Sequence, residues 1–287
     1  MVSRSFVRSI LWGAAAMLLA LLAVAVLRPS DEDPQPPAAF DPAAFVRGRP
    51  KLDVPYVTTS PEVVDAMLGM AEVGPGDHVI DLGSGDGRIL IAAARSNGAR
   101  GLGVDIDPAR IREARANARA ARVAHRVEFR RQDLFETPLG EADVVTLYLL
   151  PEVNLRLRPR ILAQMRPGTR VVSHDFHMGD WPWDDRRRIG TANVYLWIVP
   201  ARVAGRWLLA VAGREARLDL DQRFQQVGGS VATGGRSAPI EQGRLTGARI
   251  RFLADLGDGR RLFDGRVDGD RIEPLSADAG WRAVRAR

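Results

Sequence analysis

Apolar positions along the chain fall into three regimes, and their boundaries set the domain reading. The first is an uninterrupted run, Leu11 to Leu27 (LWGAAAMLLALLAVAVL), with no polar residue to give it an amphipathic face. At about 17 residues it reaches the lower limit for a bilayer-spanning helix and exceeds the usual signal-peptide core. Ala23-Val24-Ala25 offers a cleavage site, but the run continues through Val26 and Leu27, which favours an uncleaved anchor. Residues 1–28 are therefore expected to form an N-terminal hydrophobic helix, an anchor or alternatively a signal segment. Pro-, Ala- and Asp-rich residues 29–51 read as an extended linker.

The second regime, residues 52–200, alternates short apolar runs with helical stretches, which predicts an α/β fold with a mainly parallel sheet. Ser60-Pro61-Glu62 has the chemistry of a helix start, and Val63, Val64, Met67 and Leu68 give that helix an apolar face. Strands are expected at His78–Leu82, Leu102–Asp105, Val127–Phe129, Val144–Leu149 and Val171–Ser173. Helices are expected from Arg88 to a stop at Asn97-Gly98, and from Asp107-Pro108 onward. The third regime, residues 201–287, has short strand-like runs separated by Asp258-Gly259, Asp264-Gly265 and Asp268-Gly269, which read as hairpin turns. One short helix is expected near Asp221–Gln226. The whole is a small antiparallel β module, in which the Asp-Gly pairs lack the ligand spacing of a calcium loop.

Composition narrows the chemistry. The absence of cysteine among 287 residues excludes thiolate metal sites, iron–sulfur clusters and cysteine nucleophiles. The net charge of +6 would suit nucleic acid, but Lys51 is the sole lysine, the arginines are evenly spread and aromatics do not interleave with them. No nucleic-acid partner is expected. Arg4 and Arg8 precede the apolar run, and Arg28 is followed by Asp31, Glu32 and Asp33. By the positive-inside tendency the N-terminus stays cytoplasmic and the remainder faces the periplasm or exterior, as an anchored or, after cleavage, an exported domain.

The most informative segment is Val79-Ile80-Asp81-Leu82-Gly83-Ser84-Gly85-Asp86-Gly87-Arg88, an apolar strand entering a glycine-rich bend and then a helix. Such a bend lets the backbone approach a ligand closely, with a helix N-terminus aimed at it. The GxGxG spacing departs from the GxGxxG dinucleotide fingerprint, and the GK[ST] of a P-loop is missing. The second strand ends at Asp105, where a carboxylate can accept both hydrogen bonds of a ribose diol. Asp107 before Pro108 is the better helix cap, which leaves Asp105 available.

These features, with Asp133 in Gln132-Asp133-Leu134-Phe135, resemble the class I methyltransferases that use S-adenosylmethionine. The resemblance implies a Rossmann-like sheet with flanking helices. It also implies that Gly83, Gly85 and Gly87 line the methionine moiety. Asp105 would hold the ribose, Asp133 and Leu134 would meet the adenine, and Asp81 the loop or the amino group, with Ser84 and Ile106 also among the cofactor-binding residues. A narrower resemblance rests on Val54 to Pro61, Tyr148 to Arg156 and Ser173 to Trp181. These are similar to membrane-associated protein-lysine methyltransferases, whose mitochondrial members modify an ATP synthase subunit and the adenine nucleotide translocator. It implies a membrane-associated protein substrate and suggests that Tyr56 closes over the cofactor.

Methyl transfer from a sulfonium is an in-line displacement governed by positioning and exclusion of water. A lysine acceptor must also lose its proton, which burial favours and a nearby carboxylate opposes. Tyr148, after the fourth strand, and His174 and Asp175, ending the fifth, are the candidate catalytic residues; each could equally be structural. His174, His177 and Asp175 match no short metal signature, so no metal is expected. Two alternatives stay open: a lipid, quinone or other small-molecule acceptor, and a module that binds S-adenosylmethionine without transfer. An exported domain also sits awkwardly with a cofactor made in the cytoplasm.

Overall fold

The computed structural model describes residues 57–286; the apolar run, the linker and Tyr56 lie outside them. Among the described residues no helix is long and apolar enough to cross a membrane. The first half contains α1 (Pro61–Met70), β1 (His78–Leu82), α2 (Arg88–Asn97), β2 (Arg100–Asp105), α3 (Pro108–Ala120), β3 (Val127–Arg131), β4 (Val144–Leu147), α4 (Pro151–Gln164), β5 (Arg170–His174), β6 (Asp185–Ile189) and β7 (Ala192–Ile198). Their boundaries follow local chemistry. Gly98 takes φ +70 and stops α2, and Asp107 caps α3 by accepting the Ala109 N–H at 2.7 Å. Pro61 opens α1, although the Ser60 hydroxyl makes no capping bond.

The strands form one mixed sheet in the order β3-β2-β1-β4-β5-β7-β6. β1 to β5 are parallel, while β7 runs antiparallel to β5 and forms a hairpin with β6 through Gly190-Thr191. Both faces are covered, as period-two alternation requires. Val79 packs with Met67, Leu90 and Ile111, whereas Ile80 and Leu82 pack with Leu157, Ile161 and Trp197. Strand order reverses between β1 and β4, which opens a crevice at their C-terminal ends.

The second half contains β8 (Gly205–Val211), β9 (Arg214–Arg223), β10 (Gln226–Thr233), β11 (Arg236–Pro239), β12 (Glu241–Thr246), β13 (Arg249–Asp255), β14 (Arg260–Asp268), β15 (Arg271–Pro274) and β16 (Trp281–Arg285). All pairings are antiparallel, and β16 returns to pair with β8, so the sheet closes into a barrel. Trp207, Leu218, Leu245, Ile250, Phe252, Phe263 and Ile272 fill its interior, which is a packed core.

Two local expectations fail here. Asp264-Gly265 is no turn but lies within β14, where a Cβ at Gly265 would come 2.6 Å from the Trp281 ring. That glycine serves packing across the barrel. The helix expected near Asp221–Gln226 is instead the end of β9, a two-residue turn and the start of β10, with Phe224 at φ +55. Pairing of β9 with β10 over seven registered positions outweighs the helical preference of a short polar stretch.

Candidate active site

The glycine-rich bend is built by β1 running into α2. Gly83, Gly85 and Gly87 all have positive φ (+84, +53 and +82), a region that side-chain-bearing residues rarely occupy. The N–H groups of Gly83 and Ser84 both donate to the Val104 carbonyl at 2.9 Å, tying the bend to the end of β2. There Asp105 faces it. One carboxylate oxygen accepts the Gly85 N–H at 3.0 Å and the other the Asp107 N–H at 2.9 Å. Burial raises the Asp105 pKa, and these two donors oppose the rise.

Above the bend lies a cavity that opens to solvent at its mouth. Asp81, Gly83, Ser84, Gly85, Asp105, Ile106, Asp133 and Leu134 line it, as does Tyr148 from the acceptor side. Gly87 does not. Its Cβ would stand 2.6 Å from the Phe129 ring, so this glycine lets α2 start against β3 rather than making room for a ligand. Asp133 is exposed and caps a short 3-10 turn through the Phe135 N–H at 2.8 Å.

Asp81 is fully buried, and one of its oxygens accepts the Thr146 hydroxyl at 2.7 Å. Burial pushes its pKa up to about 7, against the Thr146 bond, and the Asp105 and Asp86 charges add to the rise. The buried Ser84 hydroxyl has no partner. Two carboxylates, an unsatisfied hydroxyl, closely approached backbone and the apolar edges of Ile106 and Leu134 fit a nucleoside carrying a cationic amino-acid tail. Asp105 would hold the ribose, and Asp81 the cationic end.

Comparison with known proteins agrees with that chemistry. The ANTKMT methyltransferase domain matches residues 81–185. A protein-lysine N-methyltransferase from Saccharolobus islandicus is 42% identical over 151 residues, which are 51% of this chain and 94% of that protein. The chain belongs to the protein-lysine methyltransferase family. The adenine nucleotide translocase lysine N-methyltransferase of Mus musculus is 34% identical over 131 residues, 46% of this chain and 57% of that protein. A crystal structure described as an RNA methyltransferase from Salinibacter ruber, in complex with S-adenosyl-L-homocysteine, is 54% identical. It superimposes with a TM-score of 0.51, covering 51% of this chain and 96% of its own. The protein is thus an S-adenosylmethionine-dependent methyltransferase.

On the far side of the enzyme's cavity, Tyr148, His174 and Asp175 come together. The Tyr148 and His174 rings lie 3.8 Å apart between centroids, and Phe176 stacks on Tyr148 at 6.3 Å. His174 Nε2 is 3.4 Å from Asp175 Oδ2, and Nδ1 is 3.1 Å from the Thr59 hydroxyl. A neutral imidazole with its proton on Nε2 satisfies both contacts, and burial, which depresses the His174 pKa against the Asp175 charge, favours that form. Burial and the same carboxylate raise the Tyr148 pKa. His174 and Asp175 stand behind Tyr148 and Thr59 rather than in the cavity wall.

Sequence reasoning missed Thr59 and Arg88. Thr59 lines the cavity, contacts His174 through its hydroxyl and accepts Arg88 Nη1 at 2.8 Å on its carbonyl. Arg88 also chelates Asp86 through Nε and Nη2. The available signals for Thr59 were its place within the Val54 to Pro61 stretch and just before the helix start at Ser60-Pro61.

Proposed function

We propose that this enzyme N-methylates lysine side chains of a protein partner held at a membrane. The observation that carries the acceptor side is the Tyr148–His174–Asp175 cluster, which presents Tyr148 to the cavity beside Thr59 with His174 and Asp175 directly behind. S-adenosylmethionine supplies an electrophilic methyl on a sulfonium. Asp81 and Asp105 anchor the cofactor's cationic and ribose ends. The aromatic wall of Tyr148, backed by Phe176, desolvates the incoming ammonium, which favours loss of its proton. The proton leaves to solvent, and Asp175, behind the wall with its side chain 32% exposed, can take it up on the way. The free amine's lone pair forms the new N–C bond as the C–S bond breaks, and its electrons leave with sulfur. His174 keeps Asp175 and Tyr148 in register.

The membrane part rests on the apolar run Leu11 to Leu27 and on a relative named for a translocase. On this reading the run is an anchor, and the charge bias puts the catalytic domain outside. Phosphatase and fluorescent fusions after Arg287 test the orientation, since they report opposite sides.

Because Lys51 is the sole lysine, Lys51→Arg gives an enzyme with no side-chain amine of its own to label. Incubated with methyl-labelled cofactor and membrane extract, it should place label in protein, recovered as methyllysine after acid hydrolysis. A second reading, an RNA acceptor, is favoured by the description of the 54% identical structure. Label that survives protease and is lost to ribonuclease would replace the lysine reading with that one. Label in the organic phase would instead point to a lipid or quinone acceptor.

A further inference from the structure

The loop from Asp175 to Asp184 leaves β5 directly beyond His174 and carries Asp175 and Phe176, the residues assigned above to the acceptor side. Its first half is held by the sheet and by α4 of the catalytic domain. Asp175 exchanges two hydrogen bonds with the Asn193 backbone, and the Asn154 side-chain amide donates to the Phe176 carbonyl at 3.1 Å. Its second half is held by the barrel. The Trp181 indole N–H donates to Gln225 Oε1 at 3.0 Å, and Gln225 Nε2 donates to the Pro182 carbonyl at 2.7 Å. Phe224 stacks on Trp181 at 6.0 Å and 15°. Arg223 pairs with Asp180, and Arg244 with Asp184. Trp181 and Gln225 are both essentially inaccessible to solvent.

The turn that makes these contacts is built against local preference. A two-residue hairpin with positive φ normally selects Asn or Gly, because a bulky side chain there is strained. Here Phe224 takes φ +55, and Gln225 is buried with both ends of its amide used on the loop. A barrel needing only a tight connection gains nothing from either residue. Their side chains are spent on the catalytic domain.

We infer that the β9–β10 turn of the barrel positions the acceptor-side loop, with Gln225 and Phe224 as positioning residues that keep Asp175 and Phe176 against His174 and Tyr148. The inference rests on the proposed acceptor side, but its test does not require the acceptor to be lysine. The full chain carrying Phe224→Gly relieves the backbone strain and removes the wedge, Phe224→Tyr keeps the ring, and Gln225→Leu keeps bulk while deleting both bonds. Each is assayed for S-adenosylmethionine affinity by calorimetry and for methyl transfer into membrane extract, with label counted in protein, RNA and organic fractions.

The expected result is that Phe224→Gly and Gln225→Leu lower transfer at saturating cofactor about tenfold or more, with the cofactor Kd within twofold of wild type and Phe224→Tyr near wild type. Any loss confined to unfolding would move the cofactor Kd and the melting temperature together. Should Phe224→Gly fold and transfer at the wild-type rate, the inference is overturned. Wild-type label in a fraction other than protein, with the same variant pattern, would overturn the lysine reading and leave the positioning role supported. Wild type transferring to no fraction overturns both.

Discussion

Replacing Asp81 with Asn should make the unliganded enzyme more stable and its cofactor complex weaker. The carboxyl is fully buried, its pKa stands at about 7 against an ordinary value of 3.8, and burial is the main cause. In the unfolded chain the group ionises near its ordinary value; in the fold it holds its proton until about pH 7. The folded state therefore loses stability as pH rises from about 4 to 7, and the whole loss is present above that range. A shift of roughly three units corresponds to about 4 kcal/mol, and relaxation around the open cavity makes about 2–4 kcal/mol a fair expectation.

Asn has the same shape, still accepts the Thr146 hydroxyl and carries no charge at any pH. The unliganded Asp81→Asn protein should thus melt roughly 5–15 °C above wild type at pH 8, by the usual scaling for a domain of this size. The gap should close toward pH 4. In calorimetric titration the same variant should bind S-adenosylmethionine about 10–100-fold more weakly, the worth of a charge-assisted contact. Melting below wild type at pH 8, or by the same margin at pH 4 and pH 8, would refute the reasoning, because Asp81 would then be an ionised, satisfied group inside the fold.

Wild-type affinity for S-adenosylmethionine should fall about tenfold per unit as pH drops below 7, since Asp81 must shed a proton to meet a cation; titrations in buffers of different ionisation enthalpy would count that proton. Gly87→Ala puts a methyl 2.6 Å from the Phe129 ring at φ +82 and should cost about 2–4 kcal/mol. Denaturant unfolding measures it, and a loss under 0.5 kcal/mol, on the scale of ordinary surface changes, would count against that packing. Asp105→Asn can no longer accept both the Gly85 and Asp107 N–H groups and a ribose diol together, so Kd should rise about 10–100-fold. An unchanged Kd would remove Asp105 from the ribose site.

The cofactor half of the site was legible in the sequence because its parts are close along the chain and each has a local signature. Strand, bend and helix run without a break from His78 to Asn97, and Asp105 ends the next strand. Glycine meaning was harder to read. Gly83 and Gly85 line the cavity, whereas Gly87 and Gly265 exist for a phenylalanine and a tryptophan that pack on them from elsewhere in the fold. The spacing of glycines fixes where the backbone must bend, but what stands over each bend depends on strands that pair later.

For the acceptor half the sequence offered Tyr148, His174 and Asp175 on separate stretches but not how they meet, and the physical reason lies in how that half is assembled. Thr59, before α1, meets His174, at the end of β5, across 115 positions of sequence. Tyr148 reaches the same point from the end of β4. The loop that follows is gripped by a hairpin some 40 residues further on, whose Phe-Gln turn looked helical by composition. Methyl transfer tolerates little error in the approach of the nucleophile. A site joined from separate segments therefore needs supports outside the sheet that carries it. In this enzyme those supports are the Thr59 strap on one side of His174 and the barrel turn on the other. A substitution far from the cavity, in the barrel turn, should then lower transfer without touching the residues that hold the cofactor.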